Sequence, residues 1–313
     1  MTAHPRVRIK QCVSHRGNVQ RVVLLSLSWL LIAVPQKPQP RHSRVIAYDC
    51  EPRRADGRVD QARVLAMLKA GNLDGYDYLL WHAPTDWDDL GPFLTMMDST
   101  KLTSWITVTP PTEQRPPARP TLPFDTNYVA WLVGIAELEH RHSSLEALVI
   151  DDFDLNASFF TAPLLRKMRA AKNAFPGSPK TLGVIYRRTV DSLSTWLSAR
   201  DSLLDGVVFA YENFTSTDSL APLLRTIRRQ LPKTALLALN LYVTGGYRAP
   251  APHRTEAYLK SAMTIADTMV DVLRLYCIPK DTPDALFVAV ARFNSAHGHG
   301  AIPASRRARS PDP

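Results

Sequence analysis

Acidic side chains follow several short apolar segments of this sequence. The most crowded group is Asp151, Asp152 and Asp154, at the end of the segment Leu145–Asp152, and Glu212 ends a later segment. Hydrolysis of a glycosidic bond needs one protonated carboxyl group as the acid and a second, ionised one as base or nucleophile. Repulsion among neighbouring aspartates raises the pKa of at least one of them, as the acid role requires. The sequence therefore predicts that Asp152, Asp154 and Glu212 are catalytic.

Aromatic and polar side chains end other apolar segments of the chain. A sugar ring stacks its C–H face on aromatic rings, while its hydroxyl groups bond to acids and amides. We therefore predict a carbohydrate site with these contacts: Asp49, Trp81, His82, Tyr186, Arg187, Tyr211, Asn240 and Tyr242. Arg187 or its neighbour Arg188 could instead bind a carboxylated sugar or a phosphate. An ion pair between one of these arginines and the aspartate group is the other interpretation.

Eight short apolar segments must position these side chains. They are Arg44–Asp49, Tyr76–His82, Leu102–Thr109, Leu145–Asp152, Thr181–Arg187, Leu204–Glu212, Ala235–Val243 and Val270–Cys277. Each is nearly continuous in apolar residues, which is typical of a strand that is buried on both faces.

Amphipathic segments with helical spacing follow the eight predicted strands. They are Val59–Ala70, Trp87–Met97, Asn127–His140, Thr161–Phe175, Asp191–Ala199, Ser219–Leu231, Thr255–Met269 and Ala285–Ser295. This alternation predicts an α/β protein with a single (β/α)₈ TIM barrel. The alternative is a doubly wound open sheet, which rarely reaches eight such units and would carry a glycine-rich turn after its first strand.

A closed barrel brings the carboxyl ends of all its strands to one face. Because side chains alternate along a strand, we expect Asp152 to face the lumen and Asp154 to lie above it at the rim. Asp151 would then make a structural hydrogen bond behind the strand. Cys50 and Cys277 end the first and last strands, which are neighbours in a barrel. A disulfide between them is compatible with this geometry, and two free thiols are the alternative.

The string LVIDDFDLN, which ends at Asn156, resembles the fourth-strand signature D-x-x-D-x-D-x-E of chitinase-like glycoside hydrolases. Asp152 and Asp154 match the last two aspartates of that signature. Val149 replaces its first aspartate, and Asn156 stands where the catalytic glutamate belongs, so the acid of the chitinase mechanism is missing. The string LDGVVFAYE, which ends at Glu212, is similar to the "DGV" strands of secreted sugar-processing barrels. The resemblance implies a glycoside-hydrolase-like TIM barrel and matches no specific family.

Two further classes of function stay open. A non-catalytic carbohydrate-binding barrel would share the aromatic mouth and would account for Asn156. A metal-dependent hydrolase would hold a hard divalent cation through Asp49, Asp151, Asp152 and Asp154. We expect no cofactor and no structural zinc site, because the sequence has no CxxC motif and no Cys/His cluster.

The formal net charge of +9 first indicates a nucleic-acid partner, but the charge is unevenly distributed. The first 35 residues contain no acidic residue and five basic ones: Arg6, Arg8, Lys10, Arg16 and Arg21. The tail from Ala304 adds three arginines against one aspartate. The remaining body of the chain is nearly neutral and has no basic stripe, which argues against a nucleic-acid partner.

The basic N-terminal stretch precedes thirteen apolar-rich residues, Val22–Val34. A membrane span needs about 20 residues, whereas the apolar region of an export signal is shorter. We predict an export signal or N-terminal anchor over residues 1–36, a barrel domain over 37–303 and a disordered basic tail over 304–313. The protein would then be secreted or extracytoplasmic, with a membrane contact only if the leader is not cleaved.

Overall fold

The structure is a computed structural model that describes residues 42–114, 121–175, 177–200, 203–244, 254–279 and 284–299. The predicted leader and tail, residues 1–36 and 304–313, lie outside these ranges. No helix in the described part of the chain is long and apolar enough to cross a membrane.

Eight parallel strands pair with their neighbours in chain order and close into a barrel between β1 and β8. The strands are β1 Arg44–Tyr48, β2 Gly75–Leu80, β3 Thr103–Val108, β4 Leu145–Ile150, β5 Lys180–Ile185, β6 Gly206–Tyr211, β7 Leu236–Tyr242 and β8 Val272–Tyr276. The prediction of a single (β/α)₈ barrel is confirmed.

Helices cover the outside of the barrel. They are α1 Gln61–Ala70, α2 Asp86–Thr100, α3 Tyr128–Glu139, α4 Ala162–Asn173, α5 Arg187–Val190, α6 Leu193–Ser198, α7 Leu220–Gln230, α8 Glu256–Ala266 and α9 Ala285–Ala296. The helix predicted over Asp191–Ala199 is therefore replaced by two short helices, α5 and α6. A 3₁₀ turn, Pro111–Gln114, follows β3.

Side chains on the strands divide between two buried layers, as alternation along a strand requires. The inner layer fills the lumen with Ile46, Trp105, Ala147, Val149, Leu182, Val184, Val208, Ala210, Leu236, Ala238 and Val272. The outer layer packs the strands against the helices. This division fixes which residue at each strand end continues the inner row, and so which residues line the mouth of the barrel.

The predicted strand segments extend one or two residues too far at their carboxyl ends. Asp49, His82, Asp152 and Glu212 were placed inside strands, whereas the strands end before them. These four polar residues lie in the loops that follow the strands. The loops at this end of a barrel are where barrel enzymes carry their catalytic groups.

Candidate active site

Four tyrosines continue the inner rows of β1, β5, β7 and β8 at the mouth of the barrel. The ring centroids of Tyr48 and Tyr276 are 5.4 Å apart, and those of Tyr276 and Tyr242 are 5.1 Å apart. Burial raises the pKa of Tyr48, Tyr186 and Tyr276. These phenols therefore remain protonated at neutral pH and can donate hydrogen bonds.

Asp151 continues the inner row of β4 and faces this tyrosine cluster. The inner row of β4 runs through Ala147 and Val149, and Asp151 is the next residue on that side. Tyr48 Oη donates a hydrogen bond of 3.0 Å to Asp151 Oδ2. Burial raises the pKa of Asp151, although the positive charge of Arg274 and the bond from Tyr48 act in the opposite direction. Asp151 is only partly buried, so its carboxyl group can reach a ligand in the mouth.

The prediction that Asp151 points behind the strand was therefore wrong. It assumed that Asp152 continues the inner row, whereas Asp152 has a left-handed backbone with φ of 43°. This turn interrupts the alternation directly after β4. Asp152 nevertheless reaches the mouth, where its Oδ1 atom accepts a hydrogen bond from the Tyr186 hydroxyl.

Asp154 is buried away from the lumen, and its carboxylate binds the segment that follows β5. Its Oδ2 atom accepts a hydrogen bond of 2.9 Å from the backbone N–H of Tyr186 and one of 2.5 Å from Thr189 Oγ1. Arg188 Nη2 lies 3.8 Å from its other oxygen. The expected position of Asp154 at the rim above Asp152 is therefore corrected, and the alternative ion pair with the aspartate group is found for Arg188.

Arg187 points away from the mouth. Its guanidinium pairs with Asp191 one helical turn further along, at 3.0 Å, and both side chains are exposed. Tyr211 also lies elsewhere than predicted, because it belongs to the outer layer of β6 and its hydroxyl donates to the backbone oxygen of Ser216. Neither side chain lines the described part of the mouth.

Three further predicted residues occupy inward positions, at three different depths: Glu212, Trp81 and Asn240. Glu212 follows Val208 and Ala210 on the inner row of β6 and is exposed. Trp81 ends the inner row of β2 and is 39% exposed. Asn240 lies deeper, on β7 below Tyr242, and is 3% exposed. The prediction that Trp81 and Tyr242 contact a sugar is therefore compatible with where the structure places them.

Asp49 and His82 form a buried pair at the ends of β1 and β2. Asp49 adopts a left-handed backbone with φ of 61°, and its Oδ1 atom lies 2.5 Å from His82 Nε2. Burial by itself lowers the pKa of His82, but the bond to Asp49 and the negative charges of Glu51 and Asp49 outweigh it and raise the pKa. Burial also raises the pKa of Glu51, which pairs with the guanidinium of Arg53.

The sequence leaves open a metal site formed by Asp49, Asp151, Asp152 and Asp154. In the described ranges, two groups bring three ligand atoms within 4.8 Å of one another, and both contain Asp49 but none of the other three aspartates. One group uses the two cysteines of a disulfide, and the other adds Glu51 and His82, which already pair with Arg53 and Asp49. The four-aspartate site is not formed by these residues.

Arg274 and Asp77 form a buried ion pair in the lumen that the sequence analysis missed. Arg274 Nε lies 2.6 Å from Asp77 Oδ2, and both side chains are fully buried. Thr107 Oγ1 accepts a 2.6 Å bond from Arg274 Nη2 and donates a 2.7 Å bond to Asp77 Oδ1. The signal was present in the sequence, since each charge interrupts an otherwise apolar strand, VLRLY or GYDYLL.

Asn156 fastens the loop after β4 to the 3₁₀ turn after β3. Its Oδ1 atom accepts a 3.2 Å hydrogen bond from the backbone N–H of Thr112, and its Nδ2 atom donates to Thr112 Oγ1 and to the carbonyl oxygen of Asp152. The residue that replaces the chitinase glutamate is thus buried and makes structural contacts.

A disulfide joins Cys50 to Cys277 at the point where the barrel closes. Their Cα atoms are 5.0 Å apart. Both cysteines have left-handed backbones, with φ of 54° and 50°. The predicted pairing is therefore present, next to Asp49 on one strand end and Tyr276 on the other.

Solved structures with this architecture include several glycosidases. The β-glucuronidase of Bacteroides uniformis has a TM-score of 0.53 and 12% identity, over 75% of this chain and 30% of that chain. The spore cortex-lytic enzyme SleL of Bacillus cereus has a TM-score of 0.54 and 11% identity, over 80% and 74%. A protein assigned as an alpha-L-fucosidase of Bacteroides thetaiotaomicron has a TM-score of 0.54 and 9% identity, over 91% and 99%.

At identities this low, the structural likeness shows the fold alone, which is a TIM barrel. The chain spans only 30% of the length of the glucuronidase. No protein-family model matches the sequence, and no curated protein sequence matches it.

Proposed function

We propose that this barrel hydrolyses a glycosidic bond at the carboxyl ends of its strands. The observation that carries the proposal is the difference between two inward carboxyl groups, Asp151 and Glu212. Burial raises the pKa of Asp151, whereas Glu212 is exposed to solvent. Two carboxyl groups in contrasting environments are what the acid and base roles of glycoside hydrolysis require.

The roles follow from these positions. Asp151 gives its proton to the glycosidic oxygen as the bond to the leaving sugar breaks. Glu212 either takes a proton from the water that attacks the anomeric carbon, or attacks that carbon itself and forms a glycosyl ester that water then hydrolyses. Tyr48 holds Asp151 through its hydroxyl. Trp81 and Tyr242 supply aromatic faces for sugar rings. Asp152 contributes to the site by accepting the hydrogen bond of the Tyr186 hydroxyl, whereas the contacts of Asp154 favour a structural role.

The test is release of sugar from a panel of polysaccharides and aryl glycosides by the full chain. We expect Asp151→Asn and Glu212→Gln each to lower the rate by about 10²–10⁴-fold, the usual contribution of a positioned acid or base. Asp191→Asn is the matched control, since Asp191 pairs with Arg187 in an exposed position, and it should keep the parent rate. Full activity in Asp151→Asn would contradict the assignment of the acid.

A non-catalytic carbohydrate-binding barrel is the second candidate. It is favoured by Asn156, which holds a loop where the resemblance to chitinases places the catalytic glutamate. Binding of an oligosaccharide by the parent, without release of sugar and without effect of Glu212→Gln, would support this function instead.

Export from the cytoplasm is a further part of the proposal. The disulfide between Cys50 and Cys277 supports it, since disulfides persist in oxidising compartments. The basic stretch and apolar segment Val22–Val34 are typical of an export signal. A polysaccharide substrate would be encountered in such a compartment.

A further inference from the structure

The ion pair of Arg274 and Asp77 lies in the lumen beneath Asp151 and has no part in the reaction as proposed so far. Both side chains are fully buried. A buried ion pair is weak support for stability, because apolar residues of similar volume often do as well. Ile46 and Val272 belong to the apolar inner layer of the lumen, and Thr107 and Asn240 are further buried polar residues near the pair. A charged pair at this depth therefore suggests a role beyond filling the barrel.

The pair is connected to Asp151 through one aromatic side chain. The guanidinium carbon of Arg274 lies 3.2 Å from the centroid of the Tyr48 ring, and the Tyr48 hydroxyl donates to Asp151. A cation over an aromatic face is attractive, and most strongly so where water is excluded. Thr107 fixes the guanidinium from the other side. Arg274 therefore supports the ring of Tyr48 and, through that ring, the hydrogen bond from Tyr48 to Asp151.

We propose that Arg274 is a positioning residue of the active site, which holds Tyr48 against Asp151 and places a positive charge beneath that carboxyl group. The inference rests on the proposed hydrolysis for its catalytic consequence. The contact chain from Arg274 to Asp151 is independent of the substrate.

Several charged and titratable groups interact with Asp151 through charge or hydrogen bonds, and they come from each of the elements packed around it. They are Tyr48 and Asp49 at the end of β1, Asp77 on β2, Tyr128 on α3, Tyr186 after β5, and Arg274 and Tyr276 on β8. Arg274 is the cation of this set, and it lowers the pKa of Asp151. Removal of its charge should therefore let Asp151 keep its proton to higher pH.

The experiment is a pH titration of the Asp151 carboxyl carbon by ¹³C NMR in the full chain. Asp151→Asn identifies the signal. In Arg274→Met we expect the midpoint to rise by about one to three pH units, the range over which a nearby opposite charge acts on a carboxyl group. Arg44→Met is the matched control, because Arg44 also contacts a threonine and a carboxylate, Thr103 and Glu146, but at the amino end of β1.

The single variant leaves Asp77 buried without its cation, which can prevent folding. The double variant Asp77→Asn with Arg274→Met removes both charges and should show a smaller shift in the same direction. Arg274→Lys keeps the charge but loses the planar guanidinium. It should leave the midpoint near that of the parent while it lowers the rate of hydrolysis.

The inference is overturned if Asp151 titrates as in the parent in a folded Arg274→Met or double variant. If neither variant folds, parent activity in Arg274→Lys overturns it, and a lowered rate with an unchanged midpoint supports it. A shifted midpoint in a protein that hydrolyses no glycoside would contradict the proposed function and leave the coupling of Arg274 to Asp151 in place. Glycosidase activity with an unshifted Asp151 midpoint in the variants would support the proposed function and contradict the coupling of Arg274 to Asp151.

Discussion

At the scale of single residues, three aspartates within four positions have three different surroundings. Asp151 faces the lumen and accepts a hydrogen bond from Tyr48, Asp152 turns through a left-handed backbone to Tyr186, and Asp154 holds α5 through Thr189. Their chemistry differs accordingly, since a carboxyl group takes its acidity from burial, charge and hydrogen bonds. Identical side chains in one short loop can thus divide catalytic and structural roles between them.

The pair of His82 and Asp49 predicts how stability depends on pH. The pKa of His82 in the folded protein is raised above its usual value of 6.5. The protonated histidine therefore contributes stability that is complete below about pH 6.5 and is lost as the pH rises through the raised pKa. We expect Tm to fall as the pH rises above about 6.5, and the fall to be shallower in His82→Gln.

Melting curves across this pH range check the prediction, and the slope is the quantity to compare. Asp49→Asn removes the partner of the histidine and should flatten the slope as well. Trp81→Phe alters the ring next to His82, 5.3 Å away between centroids, and removes no titratable group. It should keep the slope of the parent. An equal slope in His82→Gln and the parent would show that the pair does not control the pH dependence.

At the scale of elements, Asn156 joins two loops that no strand pairing connects. Replacing it with alanine removes the acceptor for the backbone N–H of Thr112 and a donor to the carbonyl oxygen of Asp152. Each lost bond costs about 0.5–1.5 kcal/mol, and an unsatisfied buried group costs more. We expect Asn156→Ala to lower the free energy of unfolding by about 1–3 kcal/mol, measured by denaturant unfolding.

Asn156→Asp keeps the oxygen acceptor and is the matched control, with a smaller loss of stability. Asn156→Glu restores the residue of the chitinase signature, but it puts a longer, charged side chain at a buried position and loses the amide donor to Asp152. It should be destabilised and gain no hydrolytic rate. A rate gain in Asn156→Glu would mean that this position faces the substrate after all.

The elements themselves were predictable because each strand is a continuous apolar run, and eight such runs alternate with amphipathic segments. It was harder to predict which residues at the end of a strand face the lumen. The left-handed turn at Asp152 reverses the expected order of Asp151 and Asp152, and alternation alone carries no sign of it. Arg274 is not among the predicted site residues because the barrel prediction favours strand ends, while its charge lies within β8. Asp154 is held in its structural position by Thr189 and Arg188. Both of these residues follow the end of the neighbouring strand, so their contacts with Asp154 are set by tertiary packing.

At the scale of the whole molecule, the disulfide joins the first strand of the barrel to the last. It links residues 227 positions apart. A crosslink across so long a segment restricts the unfolded chain strongly. We expect replacement of Cys50 and Cys277 by serine to lower the free energy of unfolding by about 2–5 kcal/mol.

Thermal melting with and without a reducing agent checks this prediction. The reducing agent should lower the Tm of the parent towards that of the double variant, and should leave the double variant unchanged. Cys12→Ser removes the third cysteine of the chain and serves as the control. Equal melting temperatures for the parent and the double variant would mean that strand pairing alone secures the closure.

The link between Cys50 and Cys277 also makes most of the barrel a covalent ring. Seven of the eight strands, β2 to β8, lie between the two cysteines. A protease that cuts once anywhere between them opens this ring without producing two separate molecules. The resulting fragments would migrate as one species until the disulfide is reduced, and the strands would stay tethered for re-pairing. A nicked barrel could therefore persist as a working protein in surroundings rich in proteases.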